Sequence, residues 1–205
     1  MFKPFATALT LSALLAVPMA SHAVIYAFNA SLSGANEVPA IVGPGTGTAI
    51  LDYNDNNTLS LADDTYNFSM SVFGLSSPAT GVHIHGAAST TENAGVRVSL
   101  DAAPFVLFVS GWTLLVGGND IIAPTTLFVT AASATNAGYG PMSFLDMLRG
   151  GLAYVNVHTA VNPGGAVRGQ LIQVTAVPEV STYAMMLVGL GAVGLMARRR
   201  RANQT

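Results

Sequence analysis

The stretch Thr65-Tyr66-Asn67-Phe68-Ser69-Met70-Ser71-Val72 alternates polar and apolar side chains without a break. A period of two residues is typical of a β-strand that buries one face and exposes the other. Further β-rich runs separated by Gly, Asn, Asp and Pro are Gly47–Tyr53, Thr58–Leu61, Gly95–Leu100, Pro104–Val109, Gly151–Thr159 and Ala166–Thr175, with a turn at 54–57 between the first two. Only Ser143–Leu148 favours a short helix. This pattern predicts an all-β fold, an antiparallel Greek-key-like β-sandwich.

The N-terminus has the three parts of a secretory signal. Lys3 supplies the basic start, Phe5–Val17 the short apolar run, and Ser21-His22-Ala23 the small residues that a signal peptidase reads. The apolar run is too short to cross a bilayer core of about 30 Å as a helix, which argues against an N-terminal anchor. We therefore predict a signal peptide over residues 1–23, followed by one domain over residues 24–176.

The C-terminal segment, residues 177–205, has the pattern of a segment that inserts into a membrane. Pro178 and Glu179 precede an uncharged apolar stretch over residues 183–197, for which we predict a single transmembrane helix. A basic cluster follows it, formed by Arg198, Arg199, Arg200 and Arg201. Moving four positive charges across a bilayer is costly, so this end is expected to stay in the cytoplasm with the domain outside.

A motif, an apolar stretch and an arginine cluster in this order resemble the PEP-CTERM sorting signal. The resemblance implies cleavage by an exosortase near Pro178 and Glu179 and release to the cell envelope, the cell surface or the extracellular matrix of a bacterium. Val180 stands where that family usually carries a second proline. A plain C-terminal membrane anchor is the alternative.

Composition excludes several classes of site and partner. The chain has no cysteine, which excludes disulfides, thiolate metal sites and a cysteine nucleophile. The predicted domain carries three basic residues against nine acidic ones, a formal charge of −6. Binding of a polyanion needs clustered Lys and Arg, so nucleic acid is not expected as a partner.

Several separated blocks of the predicted domain resemble one known family. They are Leu32–Pro39, Gly45–Ala49, Ala79–Gly86, Leu152–Thr159 and Pro163–Leu171. In this order they resemble the CHRD domain, the module named after chordin. The resemblance implies a β fold but no agreed biochemical activity, and a fold alone does not carry a function. Ala166 departs from the acidic residue that the family often has there.

Three histidines of the predicted domain all lie in these blocks. His83 and His85 are two residues apart on a predicted strand, so their rings point to the same face, while Val82 and Ile84 point into the core. His158 lies on another predicted strand. If the two strands are neighbours, the three imidazoles form a site for one copper or zinc ion. The alternative is a structural role, in which the histidines complete a polar network with Asn156 or backbone carbonyls.

The same blocks are also similar to part of the copper site of Cu/Zn superoxide dismutase. That likeness implies His83, His85 and His158 as ligands and Arg168 as a contact for an anionic ligand. From its rarity as a cation here, Arg168 is also expected to pair with a carboxylate such as Glu37. The domain has no further histidine for a bridging ligand or a zinc site, so dismutase activity is not expected.

Two functions stay open at this stage. The first is a non-enzymatic surface or matrix protein of CHRD type, processed by an exosortase, with extracellular polysaccharide or other matrix proteins as partners. The alternative is a copper- or zinc-binding protein centred on the three histidines, and copper-dependent redox activity is the enzymatic possibility that it includes.

Overall fold

The computed structural model describes residues 24–110, 113–122 and 138–174, together with positions 187, 189–191 and 193. The predicted signal peptide, residues 1–23, lies outside the described residues, as do Pro178, Glu179 and the four arginines of residues 198–201. The five described positions of the predicted transmembrane helix are helical. Among the described residues, no helix has both the length and the apolar character needed to cross a membrane.

Strands make up most of the regular structure. They are β1 (Ile25–Ser33), β2 (Thr46–Asn54), β3 (Thr65–Phe73), β4 (Ala79–His85), β5 (Val96–Ser99), β6 (Val106–Ser110), β7 (Thr113–Ile122), β8 (Tyr154–Thr159), β9 (Val167–Gln170) and β10 (Ile172–Gln173). Within the described part of residues 24–174, one helix, α1 (Phe144–Arg149), and one 3-10 turn, Gly34–Asn36, accompany the strands. The helix predicted at Ser143–Leu148 is confirmed.

The strands form one curled antiparallel sheet. Its order is β5-β4-β8-β9-β1-β2-β3-β7-β6, and β10 pairs with β1. The chain runs β1-β2-β3 through neighbouring positions, then crosses to the other half of the sheet for β4 and β5. The residue pair Ser33 with Arg168 joins β1 to β9, and β10 adds two further residue pairs to β1. The all-β antiparallel fold is confirmed.

The two halves of the curled sheet bury one common core, as the layers of a sandwich do. Val82 and Val155 from one half belong to the same cluster as Phe28 and Phe68 from the other. The alternation in β3 behaves as predicted, because its apolar residues Tyr66, Phe68, Met70 and Val72 are all buried. Burial of such side chains stabilises the fold by roughly 1.5–3 kcal/mol each.

One strand prediction was wrong. Thr58–Leu61 is not the partner of β2; β2 pairs with β3 instead, and residues 55–64 form the connection between them. Asn56 and Asn57 adopt positive φ values of 48° and 53°, which Asn tolerates better than most residues. The run Ala166–Thr175 is divided into β9 and β10 around the buried Leu171.

Candidate metal centre

Two neighbouring strands bring the three histidines together. β4 pairs with β8 in an antiparallel register that sets Gly81 opposite His158, and His83 opposite Asn156. Val82 and Ile84 are fully buried in the core, so His83 and His85 lie on the opposite face of β4, as the sequence predicts. Loops cover this face of β4. Their polar groups and the histidines together form a polar layer outside the hydrophobic core.

The imidazoles are close enough to share one ion. One ring nitrogen from each of His83, His85 and His158 lies within 4.8 Å of the other two. The ring centroids are 5.0 Å apart for His83 and His158, and 5.6 Å apart for each of the other two pairs. Imidazole nitrogens bind zinc at about 2 Å, so ring movements of about 1 Å would close this site on an ion.

The hydrogen bonds of two histidines fix which nitrogen is free. His85 Nδ1 lies 2.8 Å from the Ala94 carbonyl oxygen, and His158 Nδ1 lies 2.9 Å from the Pro163 carbonyl oxygen. Because a carbonyl only accepts, each Nδ1 must carry the proton and donate it. The lone pair of each neutral ring is therefore on Nε2, which is the atom that can bind a metal.

His83 has the same arrangement with its nitrogens exchanged. Its Nε2 lies 3.5 Å from Asp101 Oδ2, which leaves Nδ1 as the remaining nitrogen. His83 Nδ1, His85 Nε2 and His158 Nε2 are all buried and have no hydrogen-bond partner among the described residues. A buried polar atom without a partner is costly, whereas ligand histidines typically hold an acceptor with their second nitrogen. The residues present therefore fit a transition-metal ion.

Burial keeps the rings in the form that binds metals. It lowers the pKa of His85 to about 4, even though the bond to Ala94 acts in the opposite direction; the neighbouring His158 and His83 lower it further. Burial is also the main cause that lowers the pKa of His83, followed by the charge of His158. Both rings are thus neutral at neutral pH, and the neutral imidazole is the ligand form.

Tyr154 and Arg168 extend the polar layer beside His85. The rings of His85 and Tyr154 are stacked, 5.1 Å apart and inclined by 14°. The Arg168 guanidinium lies over the same tyrosine ring, 3.5 Å from its centroid. Such cation–π contacts are worth about 2 kcal/mol when they are desolvated.

Arg168 and Glu37, which the sequence suggested as a pair, interact through their charges but form no ion pair within 4 Å among the described residues. Arg168 instead donates to the carbonyl oxygens of Ser89 and Glu92 at 2.8 and 2.7 Å, and to Asn93 Oδ1 at 3.2 Å. Its influence on Glu37 is electrostatic only. Arg168 therefore holds the loop of residues 89–93 over the polar layer. The contact of Arg168 with an anionic ligand stays a prediction.

Glu37 lies in the same polar layer, and the pKa of its carboxyl group is well above its usual value. It is 7% exposed and accepts a hydrogen bond of 3.4 Å from Asn156 Nδ2. Burial raises the pKa of its carboxyl group to about 7, although Arg168 and Asn156 act in the opposite direction. Asn156 thus donates to Glu37 and, among the described hydrogen bonds, to no histidine.

Four groups of this centre escaped the sequence analysis. They are Asp101, the stacked ring of Tyr154, and the carbonyl groups of Ala94 and Pro163. Pro163 stands five residues after His158 in a turn-forming Pro-Gly-Gly sequence, which was the available signal for that contact. Tyr154 lies on β8 four residues before His158, so the two-residue period of a strand was the available signal for it. Asp101 and Ala94 lie in loops that only the folded chain brings to the site.

Comparison with known families agrees with this geometry. A family model described as the CHRD domain matches residues 28–171, which is more than half of the chain. The chain belongs to the CHRD family. The three histidines and their partners Asp101, Ala94 and Pro163 all lie within the CHRD match. Searches of curated proteins and of solved structures found no match.

A second family model matches the C-terminal segment. The PEP-CTERM protein-sorting motif covers residues 176–201, directly after the CHRD domain. This motif marks an exported, envelope-associated protein that an exosortase recognises. The sorting signal predicted over residues 177–205 is therefore confirmed.

Proposed function

We propose that this protein is a non-enzymatic metal-binding protein of the cell envelope, whose CHRD domain holds one copper ion through His83, His85 and His158. One observation carries the proposal: a ring nitrogen of each histidine lies within 4.8 Å of the other two, and each of the three rings has one buried nitrogen without a hydrogen-bond partner among the described residues. The second nitrogen of each ring lies beside an oxygen, as in most metal-bound histidines.

The donor set favours copper over the other divalent ions. All three donors are neutral imidazoles, which suit copper and zinc, and among the described residues no carboxylate belongs to the group. Copper binds most tightly in the usual order of divalent first-row metals. Zinc is the competing ion that the test must include.

Export makes such a site reachable by metal outside the cytoplasm. The PEP-CTERM motif directs the protein to the envelope, where no cysteine of its own competes for copper. We propose that the domain binds metal there without catalysis. Binding of polysaccharide or other matrix proteins remains a further prediction.

Elemental analysis tests the proposal directly. The exported protein is purified without a histidine tag, exposed to copper and zinc, desalted and measured by mass spectrometry. We expect about one equivalent of copper per chain, lost in His158→Ala because two imidazoles bind far more weakly than three. Thr80→Ala, at an exposed position of the same strand β4, is the control and should keep the metal.

Retention of no metal by the wild-type protein would contradict the proposal and leave the histidines as a structural network. Retention by His158→Ala would place the metal elsewhere. The variant must remain folded for this comparison, which circular dichroism establishes.

A further inference from the structure

A permanent positive charge lies beside the three-histidine centre. Arg168 lies 3.5 Å from the centroid of the Tyr154 ring, and that ring is stacked on the ligand His85. Arg168 is 1% exposed, so solvent screens its charge poorly. One aromatic ring thus separates the guanidinium of Arg168 from the ring of His85.

This charge has no ion-pair partner within 4 Å among the described residues. The guanidinium donates to neutral groups: the carbonyl oxygens of Ser89 and Glu92 and the side-chain oxygens of Asn93 and Gln170. Glu37 is the carboxyl group that acts on Arg168 electrostatically. Because burial raises the pKa of Glu37 to about 7, that carboxyl group neutralises Arg168 only partly at neutral pH.

The ligand set adds no negative charge of its own. Within the described part of the chain, the group that can hold an ion consists of three neutral histidines. Zinc held by three histidines takes a water as its fourth ligand, and divalent copper prefers square-planar or tetragonal sites. Monovalent copper has a filled d shell and accepts three ligands without such a preference.

We infer that the buried charge of Arg168 and the neutral three-nitrogen ligand set make this centre selective for monovalent copper over divalent copper and zinc. The inference rests on the metal binding proposed above and names the ion that the site takes. A divalent ion carries one more positive charge than monovalent copper. The separations of 3.5 Å from Arg168 to the Tyr154 centroid and 5.1 Å from Tyr154 to His85 place the guanidinium within about 10 Å of the His85 ring. At such a distance and an effective permittivity of about 20, the extra charge weakens binding about tenfold.

The charge of Asp101 acts in the opposite direction to that of Arg168, so Asp101 is a second residue at which the preference of the site can be changed. Its carboxylate lies 3.5 Å from His83 Nε2, and its side chain is 30% exposed. A negative charge near a ligand favours the ion of higher charge, but solvent weakens this effect at an exposed group. Neutralising Arg168 and neutralising Asp101 should therefore shift the preference in opposite directions.

The test compares affinities and reduction potentials of the purified exported protein. Competition with chelators of known affinity gives the dissociation constants for monovalent copper, divalent copper and zinc, and voltammetry gives the potential of the copper-loaded protein. We expect binding of monovalent copper to be at least tenfold tighter than that of divalent copper. Arg168→Gln should lower the potential by about 59 mV, which is a tenfold change in that ratio.

Two further variants complete the set. Asp101→Asn should raise the potential, because it removes the negative charge beside His83. Arg149→Gln is the matched control: Arg149 lies in α1 against Tyr26, and its loss should leave the potential unchanged. Since Arg168 also holds the loop at residues 89–93, Asp101→Asn carries the test if Arg168→Gln does not fold.

Tighter binding of divalent copper or zinc would overturn the inference, and so would an Asp101→Asn potential equal to that of the wild-type protein. Absence of binding for all three ions would instead contradict the proposed function itself. The two failures are therefore distinguishable in one set of titrations.

Discussion

At the scale of single residues, the protonation of Glu37 governs how stability depends on pH. Its pKa is raised from 4.5 to about 7 by burial, so the folded state binds this proton more tightly than the unfolded chain. The stabilisation is complete below about pH 4.5 and is lost as the pH rises through 7. Glu37→Gln should remove this loss, making the difference in free energy of unfolding between pH 5 and pH 8 smaller by about 2 kcal/mol. Urea unfolding of the metal-free protein measures it.

Glu92→Gln is the matched control at this scale. Hydrogen bonds from Tyr139 and Ser89 lower the pKa of the exposed Glu92 to about 2, so this group is ionised in the folded state at both pH values. It should leave the pH 5 to pH 8 difference as it is in the wild-type protein. An unchanged difference in Glu37→Gln would show that Glu37 titrates normally.

At the scale of elements, the turn between β8 and β9 connects Glu37 with the candidate ligand His158. Gly165 has a φ of 143°, and a Cβ atom there would lie 2.6 Å from both carboxylate oxygens of Glu37. Gly165→Ala should therefore destabilise the domain by about 2–3 kcal/mol, through backbone strain and displacement of Glu37. Gly164→Ala is the control, because a Cβ atom there meets nothing within 4 Å. Thermal unfolding that is equal for the two variants would contradict this account of the turn.

The element scale also shows which features the sequence could predict. Alternation revealed β3, and the two-residue spacing of His83 and His85 placed both rings on the outer face of β4, because both depend on local geometry alone. The sequence could predict the pairing of β4 with β8 only as a condition, since the paired residues are 69 to 80 positions apart. The acceptor of His85, the Ala94 carbonyl oxygen, and the loop contacts of Arg168 have no sequence pattern, since a carbonyl belongs to every residue.

At the scale of the whole molecule, the folded domain ends just before its sorting motif. The last described strand, β10, pairs with β1, and the backbone N–H of Val174 still donates to the Ala27 carbonyl oxygen. Pro178 follows four residues later, so an exosortase must act close to a folded domain. Because so few residues separate the paired strand from the motif, we expect cleavage to depend on the backbone conformation of the motif itself.

Substitutions in the motif test this consequence of the sorting signal. Proline restricts the backbone to extended conformations, which suit an extended substrate. Val180→Pro should therefore raise the cleaved fraction of the protein, whereas Glu179→Ala should lead to accumulation of the uncleaved precursor in the membrane fraction. Pulse-chase labelling followed by mass measurement of both forms gives the cleaved fraction. The exposed Thr80→Ala variant should be processed like the wild-type protein, since it leaves both the motif and the paired C-terminal strand intact. Absence of the cleaved form in the wild-type protein and in all three variants would mean that the tail serves as a plain anchor, whereas equal cleavage in all of them would show that neither Glu179 nor Val180 governs processing.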